Sequence, residues 1–305
     1  MSQNVRTSFL IMSDTHGHRP LSGSLSEHID VVIHCGDLTQ ESKIEEFQRT
    51  LQYLQEIKAD LKLVIAGNHD FTMDVPAFEK MVANAKPALE PELVRKAYGD
   101  YGEIRKILAA NAEAANITFL DEGSYEFTLR NGALLRVYAS PFTPSLSGDW
   151  GYQYHPNEGH NFKIPNGIDI VITHGPPKGI LDYTDSGRRG GCPDLFQAVA
   201  RARPRLHCFG HIHEGWGGKL ITWRGNMPAT SVPSHFTHIN HSKSTVLSNI
   251  SQLETACESS DLAYLPADCD FNESNLQTIF INSALQGMTD ITQIPWIVNI
   301  LLPPT

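Results

Sequence analysis

The chain is short of the features that would place it in several large protein classes. Its five cysteines, Cys35, Cys192, Cys208, Cys257 and Cys269, contain no C-x-x-C pair. An odd, scattered set of this kind does not describe a disulfide framework. Cys35 and Cys208 sit inside apolar strand-like runs and read as small core residues. No apolar run approaches the length of a membrane span, since the tail at 294–301 is short and contains Pro295. The N-terminal residues enter a strand with no apolar leader before it, so a reducing, cytoplasmic location is expected. Positive charge is also scarce. With 24 Lys and Arg against 34 Asp and Glu the net charge is −10, which argues against a nucleic-acid polymer or a membrane surface as the main partner. Arg188, Arg189, Arg201, Arg203 and Arg205 are a local exception, for most of which a solvated helix face is the simplest account. Internal repeats and low-complexity tracts are absent.

What the sequence does contain is enough apolar material for a full core. At 305 residues with 41% hydrophobic and 19% charged content, it is expected to form one domain over 1–305. Apolar runs predict strands at 8–12, 31–35, 61–66, 168–172 and 205–209. Residues 42–57 carry Ile44, Phe47, Leu51, Leu54 and Ile57 at helical spacing, a stripe that would pack on a sheet. Residues 76–115, rich in Ala, Glu and Lys, read as helices. Strands are predicted at 117–120, 125–130 and 134–139, with Asn131-Gly132 as a hairpin turn. Residues 140–167 form a long loop rich in aromatics, Pro and Gly, placed to wall a pocket. A helix is expected at 192–203 and a late strand at 278–281. The stretch 216–270 reads as a hairpin with an inserted loop region. Alternating strands and helices with hairpins fit a two-sheet α/β sandwich covered by helices.

Five of the predicted strands end in chemistry. Ser13-Asp14-Thr15-His16, Gly36-Asp37, Gly67-Asn68-His69-Asp70, Thr173-His174-Gly175 and Gly210-His211-Ile212-His213 each place carboxylate, amide or imidazole groups directly after an apolar run. A lone D-x-H or G-D arises often by chance, and a lone His174 would read as a satisfied strand-end histidine. Five in order at five strand ends describe a metal centre at one edge of a sheet. Two neighbouring divalent ions need a carboxylate between them to offset their repulsion. Asp37, alone after a glycine that permits a tight turn, is the natural bridge. Read as extended backbone, Asp14 and His16 point to one side, as do His211 and His213, with Ile212 turned toward the core. The ligand set Asp14, His16, Asp37, Asn68, His174, His211 and His213 has oxygen and imidazole donors and no thiolate. It suits Mn first, with Fe, Zn, Co or Ni as alternatives. His69 should point away from Asn68 and serve as an acid or cation beside the substrate. Asp70 either orients that imidazole or caps the following helix. Tyr152, Tyr154, His155, His18 and Arg189 are neighbourhood candidates for the pocket.

The order D-x-H, G-D, G-N-H-D, H-G, G-H-x-H resembles the calcineurin-like metallophosphoesterases. Thr173-His174-Gly175-Pro176-Pro177, Gly191-Cys192 and the run from Pro204 through Gly210-His211-Ile212-His213-Glu214-Gly215 look like the metallophosphoesterase-domain-containing (MPPED) subgroup of class III phosphodiesterases. The resemblance covers about 8–216 and resumes at Phe280-Ile281-Asn282-Ser283-Ala284. It implies a four-layer αββα sandwich and hydrolysis of a small-molecule phosphoester by a metal-bound hydroxide. By motif matching, Asp14, His16, Asp37 and His213 would hold one ion; Asp37, Asn68, His174 and His211 would hold the other. His69 would be the catalytic histidine, with Asp70 beside it. Some animal members of the subgroup lack one of the paired histidines; both are present here, which implies an active enzyme. The departure is a longer segment at about 222–275, containing His235, His238 and His241. A surface loop or lid is the simpler reading of these histidines than a second metal site. Three other functions share the motifs: a phosphomonoesterase, a non-phosphate reaction at the same centre, and a non-catalytic scaffold, whose mark would be eroded ligands.

Overall fold

The alternation of side chains along the first strand sets the layering of the molecule. In β1 (Val5–Met12), Phe9 and Ile11 point into the space between two sheets, while Leu10 and Met12 point outward beneath helices. In this computed structural model, which describes residues 3–21, 27–225, 231–256, 262–265, 276–287 and 290–305, the chain continues through β2 (Ile29–His34), α1 (Ile44–Glu56), β3 (Ala59–Val64), α2 (Val75–Asn84), α3 (Pro91–Tyr98) and α4 (Glu103–Ala112). It then forms β4 (Ile117–Phe119), β5 (Gly123–Thr128), β6 (Leu134–Ser140), β7 (Thr143–Pro144), β8 (Gln153–Tyr154), β9 (Ile170–Thr173), α5 (Pro193–Ala202) and β10 (Leu206–Phe209). The last elements are β11 (Gly217–Thr222), β12 (Thr245–Asn249), α6 (Ile250–Ala256), β13 (Ala263–Tyr264), β14 (Gln277–Asn282) and β15 (Trp296–Leu302).

Two large mixed sheets result, ordered β13-β15-β1-β2-β3-β4 and β12-β11-β14-β10-β9-β6-β5. Their facing sides enclose one core, in which Ile33, Leu63, Val137, Ile172, Cys208 and Ile281 are fully buried. Trp216 stacks on Trp296 within it, at 5.1 Å between ring centroids. The outer face of the first sheet is covered by α1 and α4, through Phe47, Leu51, Leu54, Ile104 and Leu108. The outer face of the second is covered by α5, through Leu195, Phe196 and Val199 against Val171, Phe209 and Phe280. The order of layers is helix, sheet, sheet, helix, the expected αββα sandwich.

Strands β1 to β4 are mutually parallel, as are β6, β9, β10 and β14. The carboxyl ends of the ligand-bearing strands therefore gather at one edge, where ligands characteristically bind in open α/β sheets. The helices begin on local signals. Glu46 accepts from the backbone N–H groups of Gln40, Glu41 and Lys43 and so fastens the start of α1. Pro193 lies in the first turn of α5, and Cys192 Sγ accepts from the Leu195 N–H.

The sequence reading missed β15. The short apolar tail is a full strand, pairing antiparallel with β1 from Val5↔Leu302 to Ile11↔Trp296. The hairpin expected within 216–270 is present as β11 and β12. Cys35, Cys192 and Cys208 are free and buried, whereas Cys257 and Cys269 lie outside the described residues, as does much of the 222–275 segment. The arginine cluster is mainly structural: Arg189 pairs with Asp182, Arg205 with Asp169, and Arg203 donates to the Arg224 carbonyl.

One buried group makes the fold acid-sensitive. His207 in β10 is fully buried, its Nε2 2.8 Å from Thr173 Oγ1, and burial lowers its pKa to about 3. The unfolded chain takes up this proton near pH 6.5 and the folded chain does not, so stability is lost as pH falls below that value. The loss from this residue is roughly 2 kcal/mol at a pH of about 5. His207→Gln is expected to narrow the gap between urea-melt stabilities at pH 7 and pH 5 by about that amount. An unchanged gap would show that His207 is protonated while folded.

Candidate metal centre

The ligand residues reach one place because the turns after the strands are sharply wound. Asp14, His16, Asp37 and His211 have φ of 54°, 46°, 53° and 67°. This left-handed region is uncommon outside glycine, though Asp and His are enriched in it. The extended, period-two geometry expected for D-x-H and H-x-H is thus absent. The residues converge instead through left-handed turns, and His213 opens a 3₁₀ turn, His213–Gly215. Residues 67–70 also form a turn, with the Asp70 N–H donating to the Gly67 carbonyl at 3.2 Å. Close approach requires glycine at two of these points. A Cβ on Gly210 would lie 2.0 Å from Asp14 Oδ2, and one on Gly67 would lie 2.2 Å from Asp37 Oδ1.

Three overlapping groups have ligand atoms within 4.8 Å of one another: Asp14, His16 and His213; His16, Asp37 and His69; and Asp37, His174 and His211. Asp37 and His16 therefore stand between the two outer groups. Asn68 joins the last, its Oδ1 2.9 Å from His174 Nε2. Ring orientation is set from behind. His16 Nδ1 donates to the Thr39 carbonyl at 3.1 Å and His174 Nδ1 to the Cys35 carbonyl at 2.9 Å, so each presents Nε2 to the centre. This is how metal-bound imidazoles are commonly held. His16 Nε2 is buried with no hydrogen-bond partner, 3.8 Å from Asp37 Oδ2. An orphaned buried nitrogen facing a carboxylate fits a cation between them.

The electrostatics agree. Burial alone would raise the Asp37 carboxyl, but His174, His69 and His16 draw it well below the ordinary range. Burial likewise opposes Asp14, which His213 at 3.2 Å pulls down. Burial would lower His174, yet Asp37 raises it to about 9. Two carboxylate–imidazole pairs, Asp37 with His174 and Asp14 with His213, thus favour a proton that a cation would replace, while burial lowers His16 and His211 toward the neutral form a metal ligand needs.

His69 is half-buried beside this set. Its Nδ1 donates to the Gln40 carbonyl at 2.6 Å, its ring lies edge-on to His16 at 4.8 Å, and the Trp150 ring packs against it at 4.1 Å. Asp70 does neither task expected of it. Its carboxylate accepts from Gly67, Leu38 and Thr39 N–H and from the Thr39 hydroxyl rather than from the His69 ring, and does not cap the next turn with its side chain. It staples the Asp37 turn to the His69 turn. Burial and Asp37 raise its carboxyl to about 7.

The other candidates divide. The long aromatic loop does wall the centre, through Trp150 rather than the residues named from the sequence. Tyr152 is buried against Arg105, Tyr154 donates to Cys192 Sγ, His155 accepts from Asn157 N–H, His18 is exposed, and Arg189 lies over Tyr183 while pairing with Asp182. His235, His238 and His241 are not among the metal-competent groups of the described residues. His241 Nε2 donates to the His235 carbonyl, and His235 packs on Phe196 and Phe236.

The fold and this donor set belong to one class of protein, and the calcineurin-like phosphoesterase profile matches residues 7–215. The chain belongs to that family, which binds a dimetal centre. Among individual proteins it is similar to metallophosphoesterase domain-containing protein 1 of Homo sapiens and of Mus musculus, 34% identical to each over 222 residues, 69% of this chain and 62% of theirs. It is also 32% identical to the probable rhamnogalacturonate lyase C of Emericella nidulans over 215 residues, 70% of this chain but 18% of that protein. The chain's match thus spans less than two thirds of the length of these relatives.

Proposed function

We propose that this chain is a dinuclear metal-dependent phosphodiesterase acting on a small-molecule phosphoester, with residues 1–305 working as one cytosolic domain. The observation that carries the reading is the buried, unpartnered Nε2 of His16 among converging carboxylate and imidazole groups, with His69 at their edge. Asp14, His16, Asp37 and His213 would hold one ion and Asp37, Asn68, His174 and His211 the other, with Asp37 shared. Manganese is the first candidate for both. When bound, the pair supplies positive charge against phosphoryl oxygens and makes water acidic enough to attack at neutral pH.

The remaining chemistry falls to the protein. With Nδ1–H held on the Gln40 carbonyl, the imidazolium form of His69 would carry its second proton on Nε2, give it to the leaving oxygen as the P–O bond breaks and be left as the neutral imidazole, to be reprotonated from solvent. Asp70 acts at one remove, holding the two turns in register. Hydrolysis of a diester and a monoester, measured side by side with added Mn²⁺, tests the reading. Metal-dependent turnover favouring the diester is expected. Preference for the monoester would make the protein a phosphomonoesterase, and two bound ions with neither ester cleaved would point to non-phosphate chemistry.

A further inference from the structure

We propose that Trp150 is a positioning residue for His69, its indole fixing the plane in which the imidazole presents Nε2. The proposal rests on the reading of His69 as the proton donor. A single hydrogen bond, from Nδ1 to the Gln40 carbonyl, does not by itself fix a half-buried ring. Two ring contacts complete the constraint. The His16 ring meets the imidazole edge-on at an interplanar angle of 90°, and the Trp150 ring lies over it at 4.1 Å and 32°. The two rings are in close, tilted contact, which limits rotation of the imidazole about its side-chain bonds.

The indole is itself held in place by the turn it covers. The Gly151 N–H donates to the Asn68 carbonyl at 3.1 Å, and the Tyr152 N–H to Asp74 Oδ2 at 2.8 Å. The Trp150 N–H donates to Gln153 Oε1 at 3.1 Å. A Cβ at position 151 would lie 2.7 Å from Phe71 Cα, so only glycine lets this loop come so close. Asn68 and Phe71 flank His69 in sequence. The loop and the His69 turn are therefore one unit, and Trp150 belongs to none of the three apolar clusters that support the sheets. Its ring also meets Phe71 at 6.0 Å, so its ring contacts are with the turn that carries His69 rather than with the core between and behind the sheets.

The test compares Trp150→Leu, Trp150→Phe and His69→Ala with wild type on an alkyl and a 4-nitrophenyl diester, with metal content measured for each protein. An alkoxide needs the proton at departure and a nitrophenolate does not, so a misdirected acid slows the alkyl ester selectively. Trp150→Leu is expected to lower kcat on the alkyl ester about tenfold more than on the nitrophenyl ester, with KM little changed and metal retained. Trp150→Phe should recover most of the loss. In the metal-free protein, the His69 ring-proton resonances, assigned by their absence in His69→Gln, should lose their ring-current shift in Trp150→Leu and keep part of it in Trp150→Phe. Equal losses on both esters, an effect on KM alone, or unmoved resonances would overturn the proposal. If His69→Ala shows the leaving-group dependence and Trp150→Leu does not, only the role of Trp150 fails. If His69→Ala lacks it too, the acid reading fails and takes the proposal with it.

Discussion

Asp37→Ala should leave the protein folded, reduce its bound metal from two ions toward none, and lower turnover by about 10³-fold or more. Among the described residues, Asp37 is the one carboxylate that shares ligand groups with both His16 and His174. Its Oδ1 lies 3.4 Å from His174 Nε2 and accepts from the His69 N–H at 2.8 Å, while its Oδ2 faces the unpartnered His16 Nε2. Removing it leaves two sets of imidazoles with no shared negative charge to hold neighbouring cations together. The side chain is almost wholly buried but lies at the sheet edge rather than in the apolar core, so the melting temperature should move far less than the rate. Elemental analysis of the purified variant, beside its circular dichroism and turnover, decides the matter. Full metal occupancy in an active variant would mean that Asp37 is not the shared ligand.

The second large effect should come from His69→Ala, with the opposite metal result. Both ions are expected to stay, because none of the seven proposed ligands is altered, while kcat on an ester with a poor leaving group falls by about 10²–10⁴-fold. The loss should shrink as the leaving group becomes more acidic. A rate-against-leaving-group series for wild type and variant gives the comparison. Parallel lines would assign His69 to charge stabilisation rather than proton transfer, and wild-type turnover on the poor leaving group would remove it from the reaction.

The identity of the centre was legible because ligand-type residues announce themselves by chemistry: seven of them follow apolar runs, and the runs became β1, β2, β3, β9 and β10. Their backbone shape was not. Alternation is the default reading after a strand, and nothing in Asp14-Thr15-His16 signals two left-handed residues that turn both side chains to one place by another route. Asp70 misled for a related reason: adjacency in sequence suggested His69 as its partner, but the turn swings its carboxylate back to Gly67, Leu38 and Thr39. The aromatic richness of 140–167 marked a wall of the site without singling out Trp150, whose role depends on a contact made across about eighty residues. The two sheets followed from local periodicity except at their latest parts: β15 is placed beside β1 by partners at the far end of the chain, and the short β7, β8 and β13 and helix α6 fall in stretches read as loop.

That pairing has a consequence for how the protein comes into being. β1, which leads to Asp14 and His16, lies between β2 and β15, so one of its hydrogen-bonding edges waits for residues translated almost three hundred codons later. Until then a ribosome-bound chain carries an open strand edge, of the kind that invites pairing with a neighbour. The turn that carries Asp14 and His16 is therefore flanked on both sides only once β15 has docked beside β1.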